Sequence, residues 1–208
     1  MKNECLFCET AKIKQDILWE SQDFYVKVGV GILGPGHVML IPRKHVPCLA
    51  KLSAPLTKNF LSIKEKISNE LKSSFSAPIM YEHGIYGQSI YHAHLHFLPK
   101  ESQHYNLKNI KENLFIGLKP FKINHFLELK EIFKEDGSYF YLDVDGKEWA
   151  FRTKDQPEGK YSFRKEFARI TGMHGLVNWQ TMSEKEKEKN KEWVNSTKGA
   201  LNDIDFSI

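Results

Sequence analysis

The chain has 208 residues, of which 30 are Lys or Arg and 26 are Asp or Glu, so its formal net charge is +4. Residues 1–104 carry 12 basic and 9 acidic residues and the remainder carries 18 and 17, too even for the clustered basic face of a nucleic-acid-binding protein. No apolar run approaches the length needed to span a bilayer, and the N-terminus lacks the apolar core of a secretory signal. We therefore expect a cytoplasmic protein with no membrane partner, and the even charge argues against a nucleic-acid partner.

The first half begins with short apolar runs that predict β-strands over residues 17–19, 24–28 and 37–42. A glycine-rich loop separates the second strand from the third; it is either a simple wide connection or a place where the backbone approaches a nucleotide. Residues 53–75 are predicted to form a helix, because apolar residues recur there at intervals of three and four and Ser53 suits the N-cap.

Histidines at every second position mark a further predicted strand over residues 92–99, which follows a strand over 78–82 and a turn. His92, His94 and His96 alternate with apolar residues, a pattern typical of a half-buried strand, so the three imidazoles would share one face about 7 Å apart. A single His-x-His pair fits an exposed strand face equally well. Three in a row favour a site that handles phosphate, protons or metal at neutral pH.

The second half has a mixed pattern of helices and strands. Residues 100–120 indicate a connection, 126–133 a short helix, 138–152 a hairpin, 161–171 a helix and 183–201 a charged helix. The hairpin signal is Asp145-Gly146 between two aromatic-rich runs, and Ser183 and Glu186 are spaced as a capping box. We expect a domain over residues 1–104 and a C-terminal extension of mixed helix and hairpin over residues 105–208.

Three cysteines, Cys5, Cys8 and Cys48, are an odd number and argue against a disulfide framework. The pair Cys5-x-x-Cys8 alone fits a redox pair or no function at all. Together with His45 and His92 it supplies four ligands, the usual number for a closed tetrahedral zinc site. We therefore expect a structural zinc ion, which would tie the N-terminal segment to the histidine strand.

Three blocks of sequence carry a family resemblance: Gly36-His37-Val38-Met39-Leu40-Ile41-Pro42-Arg43-Lys44-His45, then Gly87-Gln88-Ser89, then residues 92–99. In order and separation they resemble the histidine-triad (HIT) superfamily of nucleotide hydrolases and transferases. The resemblance implies an α+β fold, with five antiparallel strands and one packed helix in the order β-β-β-α-β-β. Family members that keep zinc are similar at the four positions of the Cys/His set. Residues 163–168 and Asn178-Trp179 weakly resemble the CwfJ-type C-terminal segments that follow a histidine-triad domain.

The same resemblance implies residue roles. His94 is similar in position to the family nucleophile, and the backbone carbonyl of His92 would accept its second ring proton. His96 would donate to phosphate oxygens or assist the leaving group, and a histidine rather than a glutamine there favours hydrolysis over transfer. Further substrate contacts are implied for His37, Gln88, Ser89 and His92. The implied enzyme hydrolyses nucleoside phosphoanhydrides or phosphoramidates, such as dinucleoside polyphosphates and adenylated amines, through a covalent nucleotidyl-histidine without a catalytic metal.

Two positions depart from the family pattern. Tyr81 and Gly29 stand where well-known members carry amide side chains near the substrate, which leaves substrate choice open. Two other functions stay open: a nucleotide-binding scaffold protein, which these departures favour, and an enzyme that removes adenylate from a nucleic-acid end, which a clustered basic surface on the second half would support. Family members often pair through the helix and the sheet edge, which favours a homodimer unless the second half covers that surface.

Overall fold

One antiparallel sheet of eight strands dominates the computed structural model, which describes residues 5–29, 31–107, 119–155, 162–176, 178 and 181–207. Its strands are β1 (Ile17–Glu20), β2 (Phe24–Val28), β3 (Val38–Pro42), β4 (Pro78–Gly84), β5 (Leu95–Pro99), β8 (Pro120–Ile123), β9 (Tyr139–Val144) and β10 (Lys147–Arg152). A separate ribbon pairs β6 (Glu101–Ser102) with β7 (Tyr105–Asn106). The helices are α1 (Ala54–Ser74), α2 (Leu129–Asp136), α3 (Phe163–Thr171) and α4 (Glu184–Leu201), with short 3₁₀ turns such as Thr10–Asp16.

The predicted α+β class and the order β-β-β-α-β-β are confirmed, but the sheet has more strands than the predicted five. The strand order is β1-β2-β3-β5-β4-β9-β10-β8, so three strands of the second half extend the sheet beyond β4. In this register Tyr81 on β4 pairs with Leu142 on β9. The expected count is too small because pairing between segments far apart in sequence leaves no local pattern. The division at residue 104 stays a prediction.

The histidine strand is shorter than the sequence predicts. β5 begins at Leu95, and His92, Ala93 and His94 lie in the segment before it. The Ala93 amide donates to the Val46 carbonyl at 2.7 Å, so this segment bonds outside the sheet ladder. The predicted strand is therefore wrong over its first three residues. The ring centroids of His94 and His96 lie 4.8 Å apart, closer than the repeat of about 7 Å along a regular strand.

Most of the elements predicted for the second half are confirmed. The hairpin forms from β9 and β10, with Asp145 and Gly146 at φ 55° and 72°, the left-handed values that a type I′ turn requires. α4 begins with the predicted capping box of Ser183 and Glu186. Part of the predicted connection (residues 108–118), residue 161 and Trp179 lie outside the described residues.

Helices cover both faces of the sheet. α1 and α2 pack against strand residues such as Val26 and Phe97, whereas α3 and α4 pack against Tyr81 and Leu98 on the opposite face. Neighbouring residues of β4 and β5 alternate between these two cores, as the period of two in a strand requires. Ser53 precedes α1 as predicted, but its side chain makes no capping hydrogen bond. In the described part of the chain, no helix combines the length and apolar character of a membrane span.

Gly84, at the end of β4, leaves room for the Tyr139 ring. A Cβ at Gly84 would lie 2.4 Å from that ring. The ring has little freedom to retreat, because its hydroxyl donates to Glu82 at 2.6 Å and accepts from the Ala50 amide at 3.1 Å. Gly84→Ala should therefore lower the free energy of unfolding by about 1–3 kcal/mol, measured by urea denaturation.

The matched control is Gly199→Ala in α4, where a Cβ would meet nothing within 4 Å. This substitution should raise the free energy of unfolding by about 0.5–1 kcal/mol, because alanine loses less backbone entropy in a helix than glycine. A Gly84→Ala variant as stable as the wild type would contradict the packing described for Tyr139.

Candidate active site and metal centre

A cleft of about 1490 Å³ opens on the sheet face that α3 and α4 cover. Its lining comes from three parts of the chain. The sheet and its loops contribute His37, Tyr81, His83, Ser89, His94 and His96; the N-terminal segment contributes Cys5, Phe7 and Cys8; and the second half contributes Ser162, Arg164 and Asn178. The two histidines predicted to be catalytic therefore share one cavity with side chains of the second half.

His94 is held in a single tautomer by the backbone. Its Nδ1 lies 2.7 Å from the carbonyl oxygen of His92. Because a carbonyl can only accept, Nδ1 carries the proton and Nε2 keeps a free lone pair. Burial lowers the pKa of His94 to about 4, so the ring is neutral at pH 7. A neutral imidazole with a free Nε2 can act as a nucleophile.

His96 is held in a complementary state by a chain of hydrogen bonds. The Leu33 amide donates to His37 Nδ1 at 3.0 Å, so the His37 proton lies on Nε2. That Nε2 lies 3.0 Å from His96 Nδ1 and donates to it, which leaves the His96 proton on Nε2. Burial lowers the pKa of His37 to about 3 and that of His96 well below its ordinary value, so both rings are neutral. His94 and His96 thus offer a lone pair and an N–H donor from neighbouring rings.

Four ligand atoms converge beside this pair. The ligand atoms of Cys5, Cys8, His45 and His92 all lie within 4.8 Å of one another. His92 Nε2 lies 2.7 Å from the Pro42 carbonyl oxygen and donates to it, so His92 Nδ1 is unprotonated toward Cys5 Sγ at 3.4 Å. Burial raises the pKa of the Cys8 thiol to about 11, so binding of a cation would release a proton from it. This Cys/His cluster can hold a metal ion.

A comparison with protein families matches the HIT domain to residues 10–103. The chain therefore contains a HIT domain. Over 72 residues it is 36% identical to bis(5'-nucleosyl)-tetraphosphatase [asymmetrical] of Schizosaccharomyces pombe, which covers 32% of this chain and 39% of that protein. Over 154 residues it is 23% identical to CWF19-like protein 1 of Xenopus laevis, covering 71% of this chain and 28% of that protein. A zinc-bound histidine triad family protein of Mycobacterium smegmatis superposes with a TM-score of 0.41, at 19% identity over 48% of this chain and 77% of that one.

The alignment with the Xenopus protein runs past the HIT domain. Its 154 residues exceed the 103 that precede the domain's end, so it must include part of the second half. This agrees with the CwfJ-type extension that the sequence suggests. The chain spans less than half the length of either of these two curated relatives.

Gln88 and Ser89 occupy different places in the HIT domain. Gln88 Nε2 donates to the carbonyls of His92 at 2.8 Å and Pro47 at 3.1 Å, and Gln88 does not line the cleft. Its Oε1 is buried and lacks a hydrogen-bond partner among the described residues. Ser89 is exposed and lines the cleft. Gln88 therefore supports the carbonyl that orients His94, whereas Ser89 is open to a ligand.

Tyr81 fills the site from the sheet side. Its ring stacks on His96 with centroids 4.4 Å apart and planes 8° apart. The other face of Tyr81 stacks on Phe163, with centroids 3.9 Å apart. The residue that departs from the family pattern is thus a buried spacer between His96 and the second half of the chain.

α4 holds the glycine-rich loop of the HIT domain. The Asn190 side chain accepts from the Gly31 amide at 3.0 Å, and the Thr197 hydroxyl accepts from the Gly36 amide at 2.8 Å. Leu33, whose amide sets the His37 tautomer, lies between these two anchors. The sequence predicts only a charged helix here, and nothing local marks Asn190 and Thr197 as buried.

Two further cleft residues, Lys27 and Arg164, have no assigned role in the sequence analysis. Lys27 lies on β2 and donates to the Val28 carbonyl at 2.8 Å. Arg164 lies on α3, within the block that resembles CwfJ-type segments, and donates to the Leu176 carbonyl at 2.7 Å and to Gly31. The resemblance of that block could have pointed to Arg164 as a functional residue. No sequence pattern marks Lys27, which lies in an apolar strand.

The buried imidazoles predict that acid destabilises the fold. Burial lowers the pKa of His37 to about 3 and that of His83 to about 4, below the ordinary value of 6.5. Below pH 6.5 the unfolded chain therefore binds more protons than the folded one. As pH falls toward 4, each group should lower the free energy of unfolding by up to about 1.4 kcal/mol per pH unit.

Urea titrations between pH 7 and pH 5 measure this dependence. In the double variant His37→Gln/His83→Gln, the free energy of unfolding should fall less steeply with decreasing pH than in the wild type, because these two imidazoles no longer contribute. His125→Gln is the matched control, because that imidazole is exposed, and it should keep the wild-type slope. Equal slopes in the wild type and the double variant would count against neutral, buried imidazoles.

Proposed function

We propose that the protein hydrolyses nucleoside phosphoanhydrides or phosphoramidates through a covalent nucleotidyl intermediate on His94. The observation that carries this proposal is the pair of opposite tautomers in one cleft, with a free lone pair on His94 Nε2 and a proton on His96 Nε2. Membership of the HIT domain in a superfamily of nucleotide hydrolases and transferases supports the reaction class. The 36% identity to a protein named as a dinucleoside tetraphosphatase supports dinucleoside polyphosphates as substrates.

In the first step, His94 Nε2 would attack phosphorus. A P–N bond forms while the P–O or P–N bond to the leaving group breaks, and the leaving group departs with the bonding electron pair. The His92 carbonyl accepts from Nδ1–H and stabilises the positive charge that the His94 ring acquires. His96 Nε2–H would donate to a phosphoryl oxygen, and Ser89 would add a further hydrogen bond. His37 would act through His96, by keeping its Nδ1 occupied.

In the second step, water would attack the same phosphorus. The P–N bond breaks, its electron pair returns to His94 Nε2 and the water's proton passes to solvent. Buried neutral imidazoles suit both steps, because they place no negative charge opposite the phosphate oxygens. The residues of the pair thus serve as nucleophile and hydrogen-bond donor without a metal ion at the phosphorus.

We also propose that the Cys/His cluster holds zinc in a structural role. Two thiolates and two imidazoles are a donor set typical of structural zinc, and four protein ligands leave no open position for substrate. Such an ion would link Cys5 and Cys8 of the N-terminal segment to His92. The His92 side chain would then be a ligand while its carbonyl still orients His94. A cytoplasmic location and a homodimer stay predictions from the sequence.

His94→Ala should lower kcat for a dinucleoside tetraphosphate or an adenosine phosphoramidate by at least about three orders of magnitude, because the variant lacks the nucleophile. The direct measurement is transfer of radiolabelled adenylate to the protein, with the reaction stopped in alkaline denaturant, since P–N bonds to histidine break in acid. The wild type should be labelled and His94→Ala should not.

His125→Ala, at an exposed histidine, is the matched control and should be labelled like the wild type. Labelling of His94→Ala would disprove the assignment. Nucleotide binding by the wild type without labelling or turnover would instead identify a nucleotide-binding scaffold, the role that the Tyr81 and Gly29 departures keep open.

The zinc proposal predicts one zinc ion per chain, measured by elemental analysis of purified protein. Cys8→Ser should lose the ion and unfold at a lower temperature, because metal binding contributes to the folding free energy. Cys48→Ala is the matched control, since the Cys48 thiol is buried away from the cluster, and it should keep the ion. Full zinc content in Cys8→Ser would contradict the proposed ligand set.

A further inference from the structure

Two cations, one from each half of the chain, line the cleft that holds the histidine pair. Lys27 on β2 is buried, with 4% of its surface exposed, and Arg164 on α3 is partly buried. Among the residues that the structure describes, neither cation lies within ion-pair distance of a carboxylate. A buried cation without a counter-ion is costly, so this arrangement calls for an anion from outside the chain.

The acidic residues that line the same cleft are already paired elsewhere. Asp16 lies 3.3 Å from Lys198, and Glu9 pairs with Lys12. The imidazoles of the pair are neutral and cannot balance positive charge. The cleft therefore carries an excess of positive charge: Asp16 is near both Lys27 and Lys198, and among the described residues no carboxylate forms an ion pair with Arg164.

The cations enter the cleft from different elements. Lys27 comes from β2, and its Nζ lies 3.9 Å from the position that a Cβ would take at Gly29. Arg164 comes from α3, next to Phe163, whose ring stacks on Tyr81, and Tyr81 in turn stacks on His96. Positive charge therefore reaches the cleft both from the sheet and from the second half of the chain.

Both cations have N–H donors that the described hydrogen bonds do not use. Two described hydrogen bonds, to the carbonyls of Leu176 and Gly31, hold the Arg164 guanidinium between the second half and the glycine-rich loop. A guanidinium has five N–H donors, so three remain. Lys27 has three donors and uses one on the Val28 carbonyl. A fixed guanidinium with spare donors is well suited to bind phosphoryl oxygens.

We propose that Lys27 and Arg164 bind successive phosphoryl groups of one polyphosphate chain, which makes nucleotides with two or more linked phosphates the preferred ligands. Lys27 would bind the group that faces His94, and Arg164 would bind the next group along the chain. The inference rests on the proposed function for the identity of the phosphoryl site. It adds that the second half of the chain selects the substrate, because Arg164 comes from α3.

The test is equilibrium binding of ADP and AMP to the full chain, measured by calorimetry. The wild type should bind ADP more tightly than AMP, and Arg164→Gln should reduce ADP affinity by roughly tenfold or more while changing AMP affinity less than about threefold. Lys27→Met should weaken both nucleotides, because it removes the cation beside the first phosphate. Lys165→Met is the matched control, since this exposed neighbour on α3 should leave both affinities unchanged.

Arg164→Lys keeps the charge and should keep part of the preference for ADP, which separates charge from a purely structural role. If Arg164→Gln does not fold, as judged by thermal unfolding, Arg164→Lys and Lys27→Met carry the test. Equal losses for ADP and AMP in Arg164→Gln, or no loss for either, would overturn the proposal.

The outcome is independent of catalysis. His94→Ala should retain the preference for ADP, because binding does not need the nucleophile. A preference that depends on Arg164 in a protein that is never labelled on His94 would support the polyphosphate site and refute the proposed hydrolysis. Labelling on His94 in a protein whose ADP affinity does not depend on Arg164 would support the proposed hydrolysis and refute the polyphosphate site.

Discussion

The hydrogen bond between the His94 ring and the His92 carbonyl is the constraint on which the rest of the site depends. Because a carbonyl can only accept a hydrogen bond, His94 Nδ1 must carry the proton and Nε2 keeps the lone pair. The carbonyl itself is held, since Gln88 also donates to it. The His92 ring is held as well, by the Pro42 carbonyl on one side and by the Cys/His cluster on the other. One residue thus links the candidate metal centre to the candidate nucleophile.

Burial gives this arrangement its chemical character. In a low-dielectric cleft the neutral form of every imidazole is favoured, so the protons are distributed by hydrogen bonds and not by pH near neutrality. The Leu33 amide donates to His37, and His37 donates to His96. These two hydrogen bonds fix which nitrogen of each ring carries the proton, and they leave the N–H of His96 available in the cleft. Since the imidazoles carry no charge, the fixed charges of the cleft come from other residues, among them Lys27 and Arg164.

The second half of the chain completes the site in three ways. β9 pairs along β4, so the strand that carries Tyr81 and His83 is an inner strand of the sheet. Phe163 stacks on Tyr81, whose other face packs on His96. Asn190 and Thr197 of α4 bind the loop that presents the Leu33 amide. The HIT domain and the extension are therefore joined through the residues that set the geometry of the cleft.

Features that depend on neighbouring residues could be predicted from the sequence. The β9–β10 turn needs only Asp145-Gly146 between strand-forming runs, and the α4 capping box needs only Ser183 and Glu186 at the correct spacing. The histidine blocks indicated the HIT domain for a related reason, because each of the three blocks is a short motif that can be recognised in the sequence. The Cys/His cluster is an exception, because Cys5 and His92 lie 87 positions apart; its four donors were predicted from their residue types and the family resemblance, and they do converge.

Features that depend on distant segments were decided by the tertiary structure alone. The start of β5 at Leu95 follows from a hydrogen bond between Ala93 and Val46, which the alternation of histidines does not reveal. The eight-stranded sheet follows from which strand fills the β4 edge. Arg164 reaches the cleft only because α3 packs against Tyr81. A sequence pattern reports periodicity along a segment, whereas these contacts join residues far apart in the chain, and only packing of the whole core selects them.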